Sequence, residues 1–208
     1  MKPQVNKEIY RSKDYMSVGR FMSYHHQIKI LMSLPECDSF CEIGKGNGIT
    51  SALMQNFAYN ITCVDFDADL KPDIVCSIFE LDKIDKKFDV VAAFEVLEHL
   101  PFDKFDEALE NMALISNKYI VLSLPYSGIT LKIELYLSKY GERFMRFIKR
   151  IPLCWKKHHF DGQHYWELGK KGFSVKRIKS VLKKHFILQS VQFFGYNHSQ
   201  IFFICEKK

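Results

Sequence analysis

The run Glu42-Ile43-Gly44-Lys45-Gly46-Asn47-Gly48 restricts what this chain can fold into more than any other stretch. It joins a short apolar segment, Ser39-Phe40-Cys41-Glu42-Ile43, to a helical pattern from about Ile49 to Ala58. Glycines in such a turn take positive φ and let the backbone approach a ligand closely. In an open α/β sheet the ligand lies beyond the carboxyl ends of the strands, where the strand order reverses. A dinucleotide-binding turn needs glycines at its first, third and sixth positions. Gly44 and Gly46 match, but Ile49 stands at the sixth and Gly48 falls one residue early, which disfavours a nicotinamide cofactor.

The surrounding chain alternates between strand and helix patterns. Phe21 to Leu34 has apolar residues at helical spacing and stops at Pro35. Ile61–Val64 reads as a second strand ending at Asp65, and Asp73–Cys76 as a third. Phe88–Phe94 is a fourth, continuous and apolar as a buried parallel strand should be. A helix from Phe102 to Ile115 and a fifth strand over Tyr119–Leu124 follow. This pattern predicts an α/β fold with a doubly wound, mostly parallel sheet. Ser174 can cap a helix running to about His185. Strands near Ile187–Phe194 and Gln200–Cys205, joined by Gly195-Tyr196-Asn197-His198, predict an antiparallel C-terminal hairpin. Residues 126–160 interrupt the alternation. They are basic, with apolar Ile129, Leu131, Ile133, Leu135 and Leu137, then Phe144, Met145, Phe147 and Ile148. They are expected to form an amphipathic helical insertion over the strand ends, within a single domain spanning 1–208.

The spacing Glu-x-Gly-x-Gly-x-Gly resembles the first motif of class I S-adenosylmethionine-dependent methyltransferases, and the resemblance extends from about Phe21 to Pro125. It implies a Rossmann-like sheet of seven strands and S-adenosyl-L-methionine as cofactor. Glu42 stands where the family places an acidic residue near the methionine amino group, beside Ile43, Gly44, Gly46 and Gly48. Asp65 ends the second strand, where an acidic side chain accepts both ribose hydroxyls, and Phe66 follows it. Ser77 and Ile78 would flank the adenine, although many relatives carry Asp at the position of Ser77. Phe94 closes the fourth strand, and the segment through Glu95-Val96-Leu97-Glu98-His99-Leu100-Pro101 looks like the family's fourth-strand motif.

Glu95, Glu98 and His99 form E-x-x-E-H, and in a helical turn positions i, i+3 and i+4 share a face. Two groups in the class carry this motif: the ubiquinone-biosynthesis O-methyltransferases and the small-RNA 3′-terminal 2′-O-methyltransferases. In the latter a second histidine completes a divalent site. Here His164, in Asp161-Gly162-Gln163-His164-Tyr165-Trp166-Glu167, is the candidate, with His158-His159 as substitutes. Glu95, Glu98, His99 and His164 would then hold Mg, Mn, Fe or Co, since mixed N/O ligands suit these ions. Alternatively Glu98 pairs locally and His99, with Glu95 beside it, is the general base or simply lines the pocket. Before the glycine turn, Tyr24 or His26 could touch the cofactor, and Trp166 reads as a core anchor.

Charge and cysteine usage bear on partners. Residues 1–125 carry 13 Lys+Arg against 19 Asp+Glu, and 126–208 carry 17 against 5. Such asymmetry suggests an anionic partner for the C-terminal part, or solvated lysines on surface helices. The six scattered cysteines read as reduced, buried thiols of a cytoplasmic protein. The N-terminus lacks an apolar signal core, and no apolar run reaches a membrane span. The expected function is O-methylation of a hydroxyl on a small molecule, lipid-linked intermediate or glycan, an acceptor that is anionic or membrane-associated. The insertion would serve as a lid or a peripheral membrane contact. RNA 2′-O-methylation is the rival activity, with RNA the less favoured partner because no interleaved aromatic-basic module is present. A non-catalytic cofactor-binding subunit is a third reading, opposed by Glu95, Glu98 and His99.

Overall fold

The computed structural model describes residues 7–137, 142–194 and 197–208. A short helix α1 (Lys7–Arg11) and the longer α2 (Val18–Ser33) precede β1 (Ser39–Ile43), α3 (Ile49–Asn56), β2 (Asn60–Asp65), β3 (Ile74–Val75) and β4 (Phe88–Phe94). Then come α4 (Phe105–Ile115), β5 (Ser116–Pro125), β6 (Gly128–Leu137), β7 (Glu142–Pro152), α5 (Val175–His185), β8 (Phe186–Phe194) and β9 (Asn197–Lys207). Ser17 caps α2 by accepting from the Arg20 amide, and Ser174 caps α5 by accepting from that of Arg177.

Seven strands form one sheet in the order β3-β2-β1-β4-β5-β9-β8, with β9 antiparallel to both neighbours and the other pairings parallel. The order reverses between β1 and β4, whose register aligns Ile43 with Ala93. Alternation along the strands supplies both layers. Cys41, Ile43, Val91, Ala93, Ile120 and Leu122 face α4 and α5, through residues such as Leu109, Met112 and Leu182. Phe40, Val90, Ala92 and Val121 face Ile28 and Leu31 of α2 and Met54 of α3. The doubly wound sheet and its antiparallel C-terminal hairpin are as expected. The turn residues Gly195 and Tyr196 lie outside the described residues.

The expected helix over residues 126–160 is corrected. Gly128–Leu137 and Glu142–Pro152 pair as a separate antiparallel hairpin, Ile129 opposite Ile151 and Ile133 opposite Phe147. The physical reason is the period: Ile129, Leu131, Ile133 and Leu135 recur every second residue, which gives a strand one apolar face and would scatter them around a helix. Residues 138–141 lie outside the described residues, as does the side chain of Phe144.

Trp166 is a core anchor. Its ring is fully buried against Phe102, Phe105 and Phe173, and its Nε1–H donates to the Leu100 carbonyl at 3.0 Å. It fastens residues 161–167 to the segment that follows β4. Trp166→Ala should cost about 3–5 kcal/mol in denaturant unfolding, the usual range for deleting a buried aromatic. A loss under about 1 kcal/mol would mean that the segment is held by something else.

Candidate functional site

The turn after β1 and the turn after β4 lie side by side at the carboxyl edge of the sheet, and a cavity of about 840 Å³ opens there. Gly44 has φ +84°, and a Cβ on it would stand 2.5 Å from Val96 Cγ2. The first glycine is therefore required twice, for its backbone angle and for the contact between the two turns. Gly46 lines the cavity, whereas Gly48 (φ +71°) does not; it sets the left-handed entry into α3.

Two acidic side chains face the cavity from strand ends. Asp65 is buried, and its Oδ2 and Oδ1 accept from the backbone amides of Lys45 and Asp67 at 2.8 and 2.9 Å. These bonds fix the carboxylate's orientation, while burial raises its pKa. Glu42 is also buried, and burial pushes its carboxyl up to about 8. Of the other expected cofactor residues, Ile43, Phe66, Ile78 and Phe94 line the cavity. Ser77 does not: its hydroxyl accepts from the Phe79 amide and caps the following 3-10 turn. Phe79 and Cys76 line the wall there instead.

Sequence reasoning missed the roof. Tyr10, Tyr15 and Arg20 line the cavity, with the Arg20 guanidinium 4.4 Å from the centre of the Tyr15 ring. No periodicity marks them, and only their aromatic and cationic character in a polar stretch distinguishes them. Tyr24 also lines the cavity and accepts from Asn47 Nδ2 at 2.7 Å. His26 does not; it is buried, stacked on Phe194 with ring centres 3.6 Å apart.

The E-x-x-E-H segment is no regular helix. Glu95 has φ +56°, a strained angle for a non-glycine residue, and its amide donates to the Ser123 carbonyl of β5. Its Oε1 accepts from Ser123 Oγ at 3.1 Å, and burial pushes its carboxyl up to about 7. Glu98 is fully buried in the 3-10 turn Leu97–His99, and neither carboxylate oxygen has a hydrogen-bond partner. Burial, reinforced by the nearby Glu95, raises its pKa well above the usual range.

Two histidines complete the cluster, each oriented from behind. His99 Nδ1 lies 2.9 Å from the Gln163 carbonyl, which can only accept, so Nδ1 carries the hydrogen and Nε2 is the basic nitrogen. Burial lowers the His99 pKa and favours this neutral form. His164 Nδ1 lies 3.1 Å from Glu167 Oε1, which turns Nε2 toward Glu98 Oε1 at 4.0 Å. Glu167 is itself held by Lys170 at 2.8 Å and by Ser127 Oγ. Its hydrogen bond to His164 keeps its carboxyl well below the usual range. Ligand-type atoms of Glu98, His99 and His164 all lie within 4.8 Å of one another. Glu95, expected as a fourth ligand, lies outside this group and bonds to Ser123. His158 cannot replace His164, because its Nε2 meets the His164 carbonyl and its Nδ1 meets Lys170 Nζ.

The profile of a family described as methyltransferase domain matches residues 19–167. The chain belongs to that family and is, as its sequence implies, a class I S-adenosylmethionine-dependent methyltransferase. None of the curated proteins matches the sequence. Among solved structures, it is similar to a S-adenosylmethionine-dependent methyltransferase from Archaeoglobus fulgidus, with 16% identity, a TM-score of 0.64 and coverage of 97% of this chain and 100% of that one. It is also similar to the N-methyltransferase NodS from Bradyrhizobium japonicum, solved with S-adenosyl-L-homocysteine (11% identity, TM-score 0.61, 98% of this chain and 94% of that one). A third is magnesium protoporphyrin IX methyltransferase from Synechocystis, also solved with S-adenosylhomocysteine (16%, TM-score 0.56, 100% and 90%). At these identities the likeness is one of fold.

The buried acids set a pH dependence. A carboxyl whose pKa is raised on folding leaves the protein most stable below its unfolded pKa, with stability lost as pH rises toward the folded value. Glu42, Glu95 and Glu98 are all raised. Thermal unfolding without ligand or metal should therefore show the midpoint falling between about pH 5 and pH 8. Glu98→Gln should flatten that fall, and an unchanged slope would contradict an ionisation suppressed by burial at Glu98.

Proposed function

We propose that this methyltransferase passes the methyl group of S-adenosylmethionine to a hydroxyl oxygen of its acceptor, a small molecule, glycan or lipid-linked compound. The observation that carries this reading is His99, a neutral imidazole lining the cavity with Nδ1–H fixed on the Gln163 carbonyl. A hydroxyl, unlike a neutral amine, needs its proton removed before or as it attacks. The acceptor oxygen forms a bond to the methyl carbon, the carbon–sulfur bond breaks, and its electron pair stays on sulfur. The hydroxyl proton passes to His99 Nε2. The remaining residues align the reactants, which accounts for much of the acceleration in such a displacement. Asp65 would accept from the ribose hydroxyls, Glu42 would face the methionine ammonium, and Phe66, Ile78 and Phe79 would enclose the adenine. Phe94 and Gly44 to Gly46 form the floor. Ser77 and Gly48 support this arrangement from outside the cavity.

A second reading at the same site rests on Glu98. A fully buried carboxylate with two unpartnered oxygens, beside two imidazoles oriented by a carbonyl and a carboxylate, suits a divalent cation such as Mg, Mn, Fe or Co. Glu98, His99 and His164 would hold it, with Glu95 close by. When bound it would lower the pKa of the acceptor hydroxyl and orient it. Glu167 and the Gln163 carbonyl keep both imidazoles in the tautomer that either reading needs.

Calorimetry with S-adenosylmethionine, with and without Mn²⁺ or Mg²⁺, tests the binding step, and absence of binding would overturn the proposal. Glu42 predicts the pH profile. Its carboxyl, held at about 8, must ionise to meet the ammonium, so affinity should rise with pH up to about 8 and then level off. Glu42→Gln should remove most of that slope; an equally steep slope in the variant would place the ammonium elsewhere. On an identified acceptor, His99→Ala should lower kcat by about 10²–10⁴-fold while leaving cofactor affinity within a few-fold. A methyl group recovered on nitrogen rather than oxygen would contradict the choice of nucleophile.

A further inference from the structure

The hairpin of β6 and β7 is built inside out. Ile129, Leu131, Ile133 and Leu135 lie on one face with their cross-strand neighbours Met145, Phe147 and Ile151. All seven are turned to solvent, 43–56% exposed. The opposite face carries Thr130, Lys132, Glu134 and Arg150 with Ile148 among them, and it is this mostly polar face that is half-buried. Lys132 pairs with Glu134 at 2.7 Å. Arg150 donates to the Phe194 carbonyl at 3.1 Å and lies 4.1 Å from the centre of the Phe193 ring. A strand pair in water turns its charged face outward. Here polar and charged groups are turned toward the body while an apolar sheet face, interrupted at Lys149, is offered to the surroundings. Patches of this kind mark interaction sites.

Charge indicates what covers the face. Residues 128–157 contain eight Lys+Arg against two Asp+Glu. Lys149 stands within the apolar face, and Lys156 and Lys157 are exposed just beyond it, beside Trp155, which is 60% exposed. Apolar side chains bordered by cations, with a tryptophan at the margin, match the boundary between lipid headgroups and acyl chains. A second copy fits worse, because a two-fold contact would bring two basic hairpins together. The expected lid also fits worse, since none of the described residues of 128–152 lines the cavity and the apolar face turns outward.

We infer that the face of Ile129, Leu131, Ile133, Leu135, Met145, Phe147 and Ile151 seats this methyltransferase on an anionic lipid surface. The hairpin leaves the carboxyl end of β5, the edge where the cavity opens. At its foot Ser127 Oγ donates to Glu167, the residue that orients His164. Phe160 and Tyr165, tilted rings 4.5 Å apart at the cavity wall, are both exposed. Seating would bring the cavity mouth close to amphiphilic acceptors.

The test is co-sedimentation of the intact chain with phosphatidylcholine vesicles, with and without about 30% phosphatidylserine, at low and physiological salt. The expected result is binding to the anionic vesicles, weakened by salt. Trp155 emission should shift to the blue on binding, a shift lost in Trp155→Phe. The pair Ile133→Asp and Phe147→Asp, both already solvent-facing, should weaken binding about tenfold or more while S-adenosylmethionine affinity is unchanged. Failure to sediment with anionic vesicles, or binding indifferent to that pair, would overturn the inference. So would a dimer dissolved by the same pair, or retention by RNA in place of vesicles. None of these outcomes would touch the assignment of methyl transfer.

Discussion

The parallel pairing of β1 with β4 is the constraint on which the rest of the molecule depends. These strands are central, and because the order reverses between them their carboxyl ends are not bridged by a crossover helix packed overhead. The register that sets Ile43 beside Ala93 puts Gly44 against Val96, with no room for a Cβ between them. One turn thereby carries the backbone and Glu42 to the cavity, and the other carries Glu95 and His99, while Glu98 of the same turn is fully buried. β2, next in the sheet, adds Asp65, and β5, on the other side, adds Ser123. Glu42, Asp65, Phe94 and Glu95 lie at or within one residue of a strand end, and His99 follows on the turn after β4.

The second feature is the concentration of buried acid. Glu42, Asp65, Glu95 and Glu98 are all held in a dry setting that raises their pKa. A chain does not gain stability from such an arrangement by itself, because unpaired buried charge is costly. The arrangement becomes intelligible if cations arrive: an ammonium and a sulfonium from the cofactor, and a divalent ion beside Glu98. The strained φ of Glu95 belongs to the same group of local costs that gather at functional sites.

Much of this was legible in the sequence, for physical reasons that differ from place to place. The strands Ser39–Ile43 and Phe88–Phe94 and the helix ending at His185 were placed to within a residue, because a buried strand is a bounded apolar run and a capped helix announces its start. Glu42, Asp65, Glu98, His99 and His164 were singled out through the resemblance to methyltransferase motifs, and the fold brings Glu98, His99 and His164 within 4.8 Å of one another. Tyr10, Tyr15 and Arg20 were not, because a roof laid over a cavity has no period. Ser77 faces its own helix turn because a hydroxyl before a turn is more readily a cap than a ligand contact. The hairpin of β6 and β7 was misread as a helix because its basic, amphipathic character was weighed above its two-residue period. Its inversion could not be read at all, since period tells that two faces differ and not which one meets the body.

The central claim is geometric: the proposed cofactor's sulfur would lie over the β1–β4 crevice and face His99. A crystal structure with S-adenosylhomocysteine, soaked with Mn²⁺, measures this directly. The account predicts ribose hydroxyls on Asp65, the amino group near Glu42, and the sulfur turned toward His99 Nε2, with any manganese between Glu98, His99 and His164. A ligand seated away from the turn at Gly44 to Gly46, or a sulfur turned away from His99, would contradict it.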